Sequence, residues 1–246
     1  MSEWHILDNP ARASLLGAHA RFAVRQGSVL RYVPDVSPFI AMPDEPDTAA
    51  WGDLAALVGP GAIAVVSGAR VEPPEGWEIV INGVGVQLVD AGVAARRDPE
   101  AVVLGPADVP EMLALVERTR PGPFLPRTVE MGTYLGVRLH GELVAMAGER
   151  LHPPGWSEIS AVCTDPRYRG RGLATRLVRA VAAAIRERGE TPLMHAAASN
   201  VNAIRLYESL GFQLRRRTRF LGIRVPAGEV LVRFKRASGG SEVPQQ

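Results

Sequence analysis

Residues 162–175, with the sequence VCTDPRYRGRGLAT, decide the fold of this chain. An apolar run typical of a strand ends at Thr164, a turn follows at Asp165 and Pro166, and a glycine-rich loop leads into a helix. Gly170 and Gly172 let the backbone come close to a ligand, and the helix N-terminus adds partial positive charge. The segment therefore predicts an anion site that suits a phosphate or pyrophosphate.

Three arginines, Arg167, Arg169 and Arg171, add charge at the mouth of this loop. The loop is neither a Walker A motif, because no Gly-Lys-Ser/Thr follows, nor a dinucleotide fingerprint, because G-x-G-x-x-G is absent. Two other interpretations stay open for the loop alone. It could be an arginine–glycine tract that binds RNA, or a tight turn between a strand and a helix that carries solvated arginines.

The elements around the loop alternate between strands and helices. The amphipathic helix is predicted over residues 173–188, where Leu177, Val181 and Ile185 share one face and Gly189 follows the end. Another helix is predicted from the N-cap Asp108 to residue 118. Strands are predicted at residues 102–104, 134–139, 142–147, 158–164, 193–197 and 230–234, and a further helix at 202–210. This order indicates an α/β or α+β sheet, with a hairpin turn at His140 and Gly141.

The first 95 residues show a mixed pattern without a catalytic constellation. Helices are predicted at residues 15–22 and 51–58, and strands at 29–33 and 62–66. The β-rich run 78–89, EIVINGVGVQLV, has a turn or bulge available at Asn82 and Gly83.

Residues 199–212, SNVNAIRLYESLGF, supply a second motif. Together with the R-x-x-G-x-G pattern of Arg167, Gly170 and Gly172, this segment resembles the GNAT superfamily of acyl-CoA-dependent N-acyltransferases. The matching positions in the second motif are Asn200, Ala203, Leu206, Tyr207, Glu208, Gly211 and Phe212. The runs VEMGTYLGVR and LVAMAGER resemble, within that superfamily, the branch related to glycine N-acyltransferases.

The resemblance implies a mixed, mostly antiparallel central sheet flanked by helices. It places a catalytic acyl-CoA-binding domain at residues 99–236. Residues 1–98 would then form either a degenerate GNAT-like half or a separate accessory domain, and residues 237–246, ASGGSEVPQQ, a disordered tail.

The resemblance also implies how acetyl-CoA, or another short acyl-CoA, would be held as co-substrate. The strands at 158–164 and 193–197 would splay apart, and the pantetheine arm would pair with the first of them like an added strand. The loop N–H groups would hold the pyrophosphate, and the start of the next helix would contact the cofactor. The implied contacts are Val162, Cys163, Thr164, Arg167, Arg169, Gly170, Arg171, Gly172, Leu173, Ala174, Asn200, Ala203 and Tyr207.

For catalysis, the resemblance gives Tyr207 the role of a general acid that protonates the departing CoA thiolate. The acceptor amine must lose a proton, and two residues are candidates for the base. His195 has the better-suited ordinary titration range, and Glu158 begins the other central strand. The alternatives are a core aromatic for Tyr207, a hydrogen-bonded core histidine for His195 and a solvated strand end for Glu158.

Other residues receive weaker assignments. Glu130 and Glu149 are further acids that could line the acceptor side, and Cys163 is interpreted as a buried bystander. The basic run at residues 215–219 is interpreted as a solvated face, with attraction of an acidic acceptor or of the 3′-phosphate of CoA as the alternative.

Composition excludes several classes of protein. The 246 residues hold 28 Lys and Arg against 26 Asp and Glu, which argues against a dedicated nucleic-acid binder. An apolar share of 46% can build a core, which excludes disorder for most of the chain. The single cysteine excludes an internal disulfide and a cysteine-rich zinc site, and it favours the cytoplasm. No signal peptide or membrane span is expected.

The sequence therefore predicts an acyl-CoA-dependent N-acetyltransferase that acts without a metal on a primary amine, carried by a small molecule or a peptide. Transfer would occur by direct attack in a ternary complex. A module that binds acyl-CoA without catalysis is the alternative, and a nucleic-acid binder that uses the arginine runs is a third possibility. No membrane or nucleic-acid partner is expected.

Overall fold

The computed structural model describes residues 4–67 and 71–227. Its strands are β1 (Ala23–Gln26), β2 (Val29–Tyr32), β3 (Phe39–Ala41), β4 (Ile63–Ser67), β5 (Glu78–Asp90), β6 (Val102–Leu104), β7 (Tyr134–Leu139), β8 (Glu142–Glu149), β9 (Trp156–Thr164), β10 (Thr191–Ala197) and β11 (Phe212–Arg224). Its helices are α1 (Pro10–Leu16), α2 (Thr48–Val58), α3 (Val109–Thr119), α4 (Leu173–Glu187) and α5 (Val201–Ser209).

These strands form one sheet with the order β1-β2-β3-β4-β11-β5-β10-β9-β8-β7-β6. Neighbouring strands are antiparallel except in two pairs, β3 with β4 and β9 with β10. Helices pack against the sheet, and α4 lies over β7, β8, β9 and β10. The expected mixed, mostly antiparallel sheet with flanking helices is confirmed.

Strand β5 joins the early part of the chain to the late part. It lies between β10 and β11 and is antiparallel to both, so that Gln87 stands opposite His195. β5 belongs by sequence to the region before residue 98, yet its neighbours belong to the region after it. The division of the chain at residues 98 and 99 stays a prediction.

The core is divided among the helices. The largest cluster lies under α4 and α5 and includes Leu88, Ile159, Leu177, Met194 and Phe212. A second cluster lies under α3, a third surrounds α2 and Trp51, and a fourth surrounds α1. The amphipathic pattern of residues 173–188 therefore predicted the burial of α4 correctly.

Several local predictions are corrected. β5 continues through Asn82 and Gly83, which pair with Leu221 and Phe220 of β11, so the chain does not turn there, and a register irregularity against β11 falls between Ile79 and Ile81 instead. Gly83 is needed because a Cβ at this position would overlap the Phe220 ring. The helix expected at residues 15–22 ends instead at Leu16, before Gly17, and a short 3-10 turn covers Ala20–Phe22.

The hairpin after β7 and the helix before it were both predicted from the sequence. The hairpin between β7 and β8 is confirmed, and its turn residues His140 and Gly141 have positive φ angles of 53° and 85°. α3 is also confirmed, but the Asp108 carboxylate accepts from the Gly105 N–H instead of capping that helix.

The strand expected at 230–234 and the tail at 237–246 lie outside the described residues. Across residues 4–67 and 71–227, no helix combines the length and the apolar character that a membrane crossing requires.

Candidate active site

The central feature of the site is the separation of two parallel strands. β9 and β10 pair from Trp156 and Thr191 only as far as Ile159 and Met194, although both strands continue. The other edge of β9 keeps its pairing with β8 up to Thr164. The edge of β9 that faces β10 therefore has no strand partner beyond Ile159 among the described residues, and Val162, Cys163 and Thr164 lie in this unpaired stretch.

A bulge shapes β9 at this gap. Ala161 has a φ angle of 52°, and the register against β8 shifts between Met146 and Gly148. A left-handed conformation is strained for a residue other than glycine, and such strain clusters at functional sites. No local pattern indicates this bulge, because alanine has no preference for this conformation.

The glycine-rich loop forms an open cradle at the start of α4. Gly170 and Gly172 have φ angles of 76° and 71°, and a Cβ atom at either position would meet no atom within 4 Å. No side chain caps the helix, whose first N–H groups have no partner within the helix. Because open space, free donors and the helix dipole coincide, the loop suits a phosphate group. Leu173 and Ala174 supply the first helical N–H groups.

The three loop arginines have different surroundings. Arg167 Nε lies 3.1 Å from Asp165 Oδ1, and its Nη2 lies 3.1 Å from Glu142 Oε2. Arg169 Nε donates to the Thr164 carbonyl at 3.4 Å, and the Arg171 guanidinium lies 5.2 Å from the centre of the Tyr168 ring. Two carboxylates thus already offset the charge of Arg167, while Arg169 and Arg171 are exposed beside the cradle.

The second motif begins directly after β10. The Asn200 side chain caps α5 by accepting from the Ala203 N–H at 3.2 Å. This cap explains the Asn and Ala spacing of the motif by backbone chemistry alone. Asn200 remains exposed, and Ala203 is partly buried against the core under α4.

Tyr207 lies buried on the inner face of α5. Its ring is 6.4 Å from that of Phe212 in an edge-on contact. Burial raises the pKa of Tyr207 to about 12, and the nearby Cys163 thiol adds to the shift. Its hydroxyl therefore stays protonated at neutral pH, as a general acid requires. Burial also raises the pKa of Cys163 to about 11, which keeps this thiol un-ionised and poorly nucleophilic.

Glu158 is fully buried on β9, so it is not a solvated strand end. Arg150 binds the Glu158 carboxylate through two hydrogen bonds, from Nε to Oε2 at 3.0 Å and from Nη2 to Oε1 at 2.6 Å. Burial alone would raise the pKa of Glu158, but the charge of Arg150 and the hydrogen bonds from His195 and Arg150 hold it well below its usual range. Glu158 is therefore ionised and has no open side from which to receive a proton.

His195 contacts the same carboxylate from β10. Its Nδ1 lies 2.9 Å from Glu158 Oε1. An ionised carboxylate only accepts hydrogen bonds, so Nδ1 carries a proton and donates it. The second ring nitrogen, Nε2, lies 3.0 Å from the amide nitrogen of Gln87, and the side chain is 20% exposed. The structure thus brings His195 and Glu158 together as an ordered pair.

Several residues that surround the His195–Glu158 pair could not be predicted from the sequence. Arg150 follows β8 directly, Gln87 lies in the region that seemed free of catalytic residues, and Arg215 belongs to the supposedly solvated basic run. Arg215 and Arg216 instead pair with Asp8, at 2.8 and 2.6 Å. The contacts of Gln87 and Arg215 join segments that are far apart in sequence, and the Arg150–Glu158 pair joins two successive strands, so no local pattern indicates any of them.

Glu130 and Glu149, the two further acidic candidates, pair with other residues than His195 and Glu158. Glu130 is exposed and pairs with Arg127. Glu149 is buried and pairs with Arg188 at 2.8 Å, and burial raises its pKa. Among residues 4–67 and 71–227, no group of three or more His, Cys, Asp or Glu side chains could hold a metal ion.

Comparison with known proteins decides the family. A family model described as FR47-like protein matches residues 134–221. A crystal structure from Novosphingobium aromaticivorans, of a protein assigned to the GNAT acetyltransferases, is 41% identical and superposes with a TM-score of 0.82. That match covers 92% of this chain and all of the other. The chain belongs to the GNAT family of acetyltransferases.

Other GNAT proteins match less completely. The N-alpha-acetyltransferase RimI of Mycobacterium tuberculosis is 40% identical over 90 residues, which are 34% of this chain and 56% of that protein. The chain thus spans about half the length of the curated relative that it matches. A GCN5-related N-acetyltransferase from Kribbella flavida, 20% identical with a TM-score of 0.57, covers 90% of this chain and 97% of its own, and shares the fold.

Proposed function

We propose that this GNAT protein transfers an acetyl group from acetyl-CoA to a primary amine by direct attack in a ternary complex. The observation that carries the proposal is the ordered His195–Glu158 pair beside the strand separation, with the Nδ1 to Oε1 distance of 2.9 Å. We place the catalytic domain at residues 99–236, preceded by residues 1–98 as either a degenerate GNAT-like half or a separate accessory domain. The single cysteine favours a cytoplasmic protein.

In this proposal the cradle binds acetyl-CoA, whose thioester supplies the activated acyl group. The N–H groups of Gly170, Gly172 and the first turn of α4 hold the pyrophosphate, and Arg169 and Arg171 add charge. The free edge of β9 at Val162, Cys163 and Thr164 pairs with the pantetheine arm. Asn200 and Ala203 contact the cofactor from the start of α5.

His195 and Glu158 take different roles in the same step. His195 removes a proton from the acceptor ammonium through Nε2, so that the amine nitrogen can attack the acetyl carbonyl carbon. Glu158 does not act as the base, because its carboxylate is buried and ionised between Arg150 and His195. It orients the imidazole and stabilises the positive charge that His195 acquires.

Tyr207 completes the transfer. As the bond between the acetyl carbon and sulfur breaks, the Tyr207 hydroxyl donates its proton to the departing CoA thiolate, and the second proton that the amine nitrogen loses restores the Tyr207 hydroxyl. The raised pKa keeps that proton available at neutral pH.

The class of acceptor rests on the relatives. RimI is named for acetylation at an α-amino group, so we propose a peptide α-amine as the first acceptor to test. An α-amine has an ordinary pKa of roughly 8, which asks less of a base than the roughly 10.4 of a lysine amine. The placement near glycine N-acyltransferases, carried by residues 129–138 and 143–150, adds glycine as a second acceptor to test.

The test is a thiol-release assay with acetyl-CoA and a panel of peptide, lysine and amino-acid amines. Tyr207→Phe should lower kcat by roughly 100-fold or more and leave acetyl-CoA binding unchanged, as measured by calorimetry. Tyr134→Phe is the matched control, because Tyr134 is equally buried and its hydroxyl has no partner among the described residues. Acetyl-CoA binding without turnover on any amine would favour the non-catalytic module, and an unchanged kcat in Tyr207→Phe would remove Tyr207 as the acid.

A further inference from the structure

Gln87 occupies a buried position next to the proposed base. It lies on β5 directly opposite His195, and only 1% of its surface is exposed. Its amide nitrogen is 3.0 Å from His195 Nε2. This contact involves the ring nitrogen that the proposed function assigns to proton transfer.

Two other contacts fix the orientation of the Gln87 amide. Arg215 Nη1, which can only donate, lies 2.7 Å from Gln87 Oε1. The Leu7 carbonyl, which can only accept, lies 2.8 Å from Gln87 Nε2. Exchanging the oxygen and nitrogen would place two donors together at Arg215 and two acceptors together at Leu7. The nitrogen therefore faces His195.

The orientation of Gln87 determines the protonation of His195. One Gln87 N–H is used by Leu7, and the other points to His195 Nε2. That ring nitrogen must then accept, while Nδ1 donates to Glu158 at 2.9 Å. An imidazolium at this place would set an Nε2–H against the Gln87 N–H.

Charged groups face His195 from neighbouring strands. Glu158 faces it from β9, with Arg150 behind that carboxylate. Arg215 of β11 holds the Gln87 oxygen, and Asp8 pairs with both Arg215 and Arg216, at 2.8 and 2.6 Å. Each of these charges is paired with an opposite charge, so the Gln87 N–H is the group that sets the state of His195 Nε2.

We propose that Gln87 is a positioning residue that holds His195 neutral, with its proton on Nδ1 and its Nε2 lone pair ready to receive a proton. Leu7 and Arg215 act through Gln87, so the early part of the chain contributes to the site through its β5 strand and its Leu7 carbonyl. The value of this state for catalysis rests on the proposed function. When an acceptor ammonium replaces the Gln87 N–H at Nε2, Gln87 keeps its bond to Leu7, and one proton moves from the amine to Nε2.

The test determines the protonation and tautomer of His195 by NMR and requires no catalytic turnover. Uniformly ¹⁵N-labelled full-length protein gives long-range ¹H–¹⁵N correlations for each imidazole, and His195→Gln identifies the signals of residue 195. At neutral pH the wild type should show the Nδ1–H tautomer. Gln87→Glu should convert His195 to the doubly protonated form, because carboxylates would then accept from both ring nitrogens.

Arg216→Gln is the matched control, because Arg216 stands opposite Gln87 in the ladder of β5 and β11, but its side chain pairs with Asp8 while Arg215 holds the Gln87 oxygen. It should leave the tautomer of His195 unchanged. A wild-type spectrum with the Nε2–H tautomer would overturn the proposal, whether or not any variant folds. So would an unchanged His195 in a folded Gln87→Glu protein.

Kinetics then separates this proposal from the proposed function. If wild type transfers acetyl groups, Gln87→Glu should lower kcat/KM by roughly tenfold or more through its protonated base, without weakening acetyl-CoA binding. If wild type shows the Nδ1–H tautomer but acetylates no amine, the positioning stands and the proposed function fails.

Discussion

The glycine-rich loop and the His195 network differ in how the chain builds them. The loop takes its cradle from residues 169–174, which are continuous in sequence. The network joins residues that lie far apart, with 37 positions between Glu158 and His195, 108 between Gln87 and His195, and 207 between Asp8 and Arg215. The loop is open and exposed, whereas the network has a buried centre at Gln87 and Glu158 and partly buried partners around it.

In the proposed function, this difference separates the binding of acetyl-CoA from proton transfer. An open cradle can accept a large anionic cofactor and depends on backbone conformation at two glycines. A buried network depends on matched donors and acceptors, where one wrong partner leaves a charge or a polar group unsatisfied. Mutations in the loop should therefore affect mainly the binding of acetyl-CoA, whereas mutations in the network should affect mainly the free energy of unfolding and proton transfer.

The largest effect is expected at the centre of the network. Glu158→Gln keeps the size of the side chain but leaves Arg150 buried without a counter-charge. The free energy of unfolding should fall by about 3–5 kcal/mol, as measured by denaturant titration. The matched control is Glu142→Gln, whose exposed carboxylate pairs with exposed Arg167 and should cost at most about 1 kcal/mol. Equal costs for the two variants would mean that the network is not a stabilising unit.

A pH effect of similar size should come from His19, outside the network. His19 donates from Nε2 to the Met131 carbonyl at 3.0 Å, and its Nδ1 lies 2.9 Å from the Tyr32 hydroxyl. Burial, aided by the charge of His152, lowers the pKa of His19 from 6.5 to about 4. The unfolded chain therefore binds a proton in this window that the folded chain does not bind, so stability falls as pH falls from 6.5 towards 4.

The full loss from His19 should be roughly 3 kcal/mol over that window. Thermal or urea unfolding at several pH values measures it, and His19→Gln should flatten the slope. An equally steep slope in the variant would assign the acid sensitivity to other groups. This control also keeps loss of fold at low pH from being mistaken for protonation of His195.

The smallest effect on stability is expected in the loop. Gly172→Ala forces a Cβ into a φ angle of 71°, at a cost of roughly 1–2 kcal/mol, and it should weaken acetyl-CoA binding because the cradle is altered. Gly52→Ala, in the interior of α2 with nothing near its Cβ position, should stabilise the protein by about 1 kcal/mol and leave binding unchanged. Stability by denaturant titration and affinity by calorimetry check both. If Gly172→Ala binds acetyl-CoA like wild type, the cradle is not the pyrophosphate site.

The same difference explains what the sequence could predict. The turn at Gly170 and Gly172 could be predicted because turn chemistry acts within a few residues. The amphipathic spacing of α4 and the turn at His140 and Gly141 were readable for the same reason. Asn200, by contrast, was found through the family resemblance. His195 and Glu158 were found as separate candidates through the family resemblance, but not as a pair.

The rest required the three-dimensional sheet. Gln87 looked like one polar residue in a β-rich run, and only its register opposite His195 gives it a role. Arg215 looked like a solvated charge until its contacts with Asp8 and Gln87 were known. Gly83 looked like a turn residue, whereas it makes room for Phe220 on the neighbouring strand.

The most direct test of the catalytic account is the rate of His195→Gln. kcat/KM for the best amine acceptor and the dissociation constant of acetyl-CoA should be measured for this variant and for wild type at neutral pH. The account predicts a loss of roughly 100-fold or more in kcat/KM with unchanged acetyl-CoA affinity. A variant that transfers acetyl groups as fast as wild type would contradict it, because the pair that His195 forms with Glu158 would then serve only the fold.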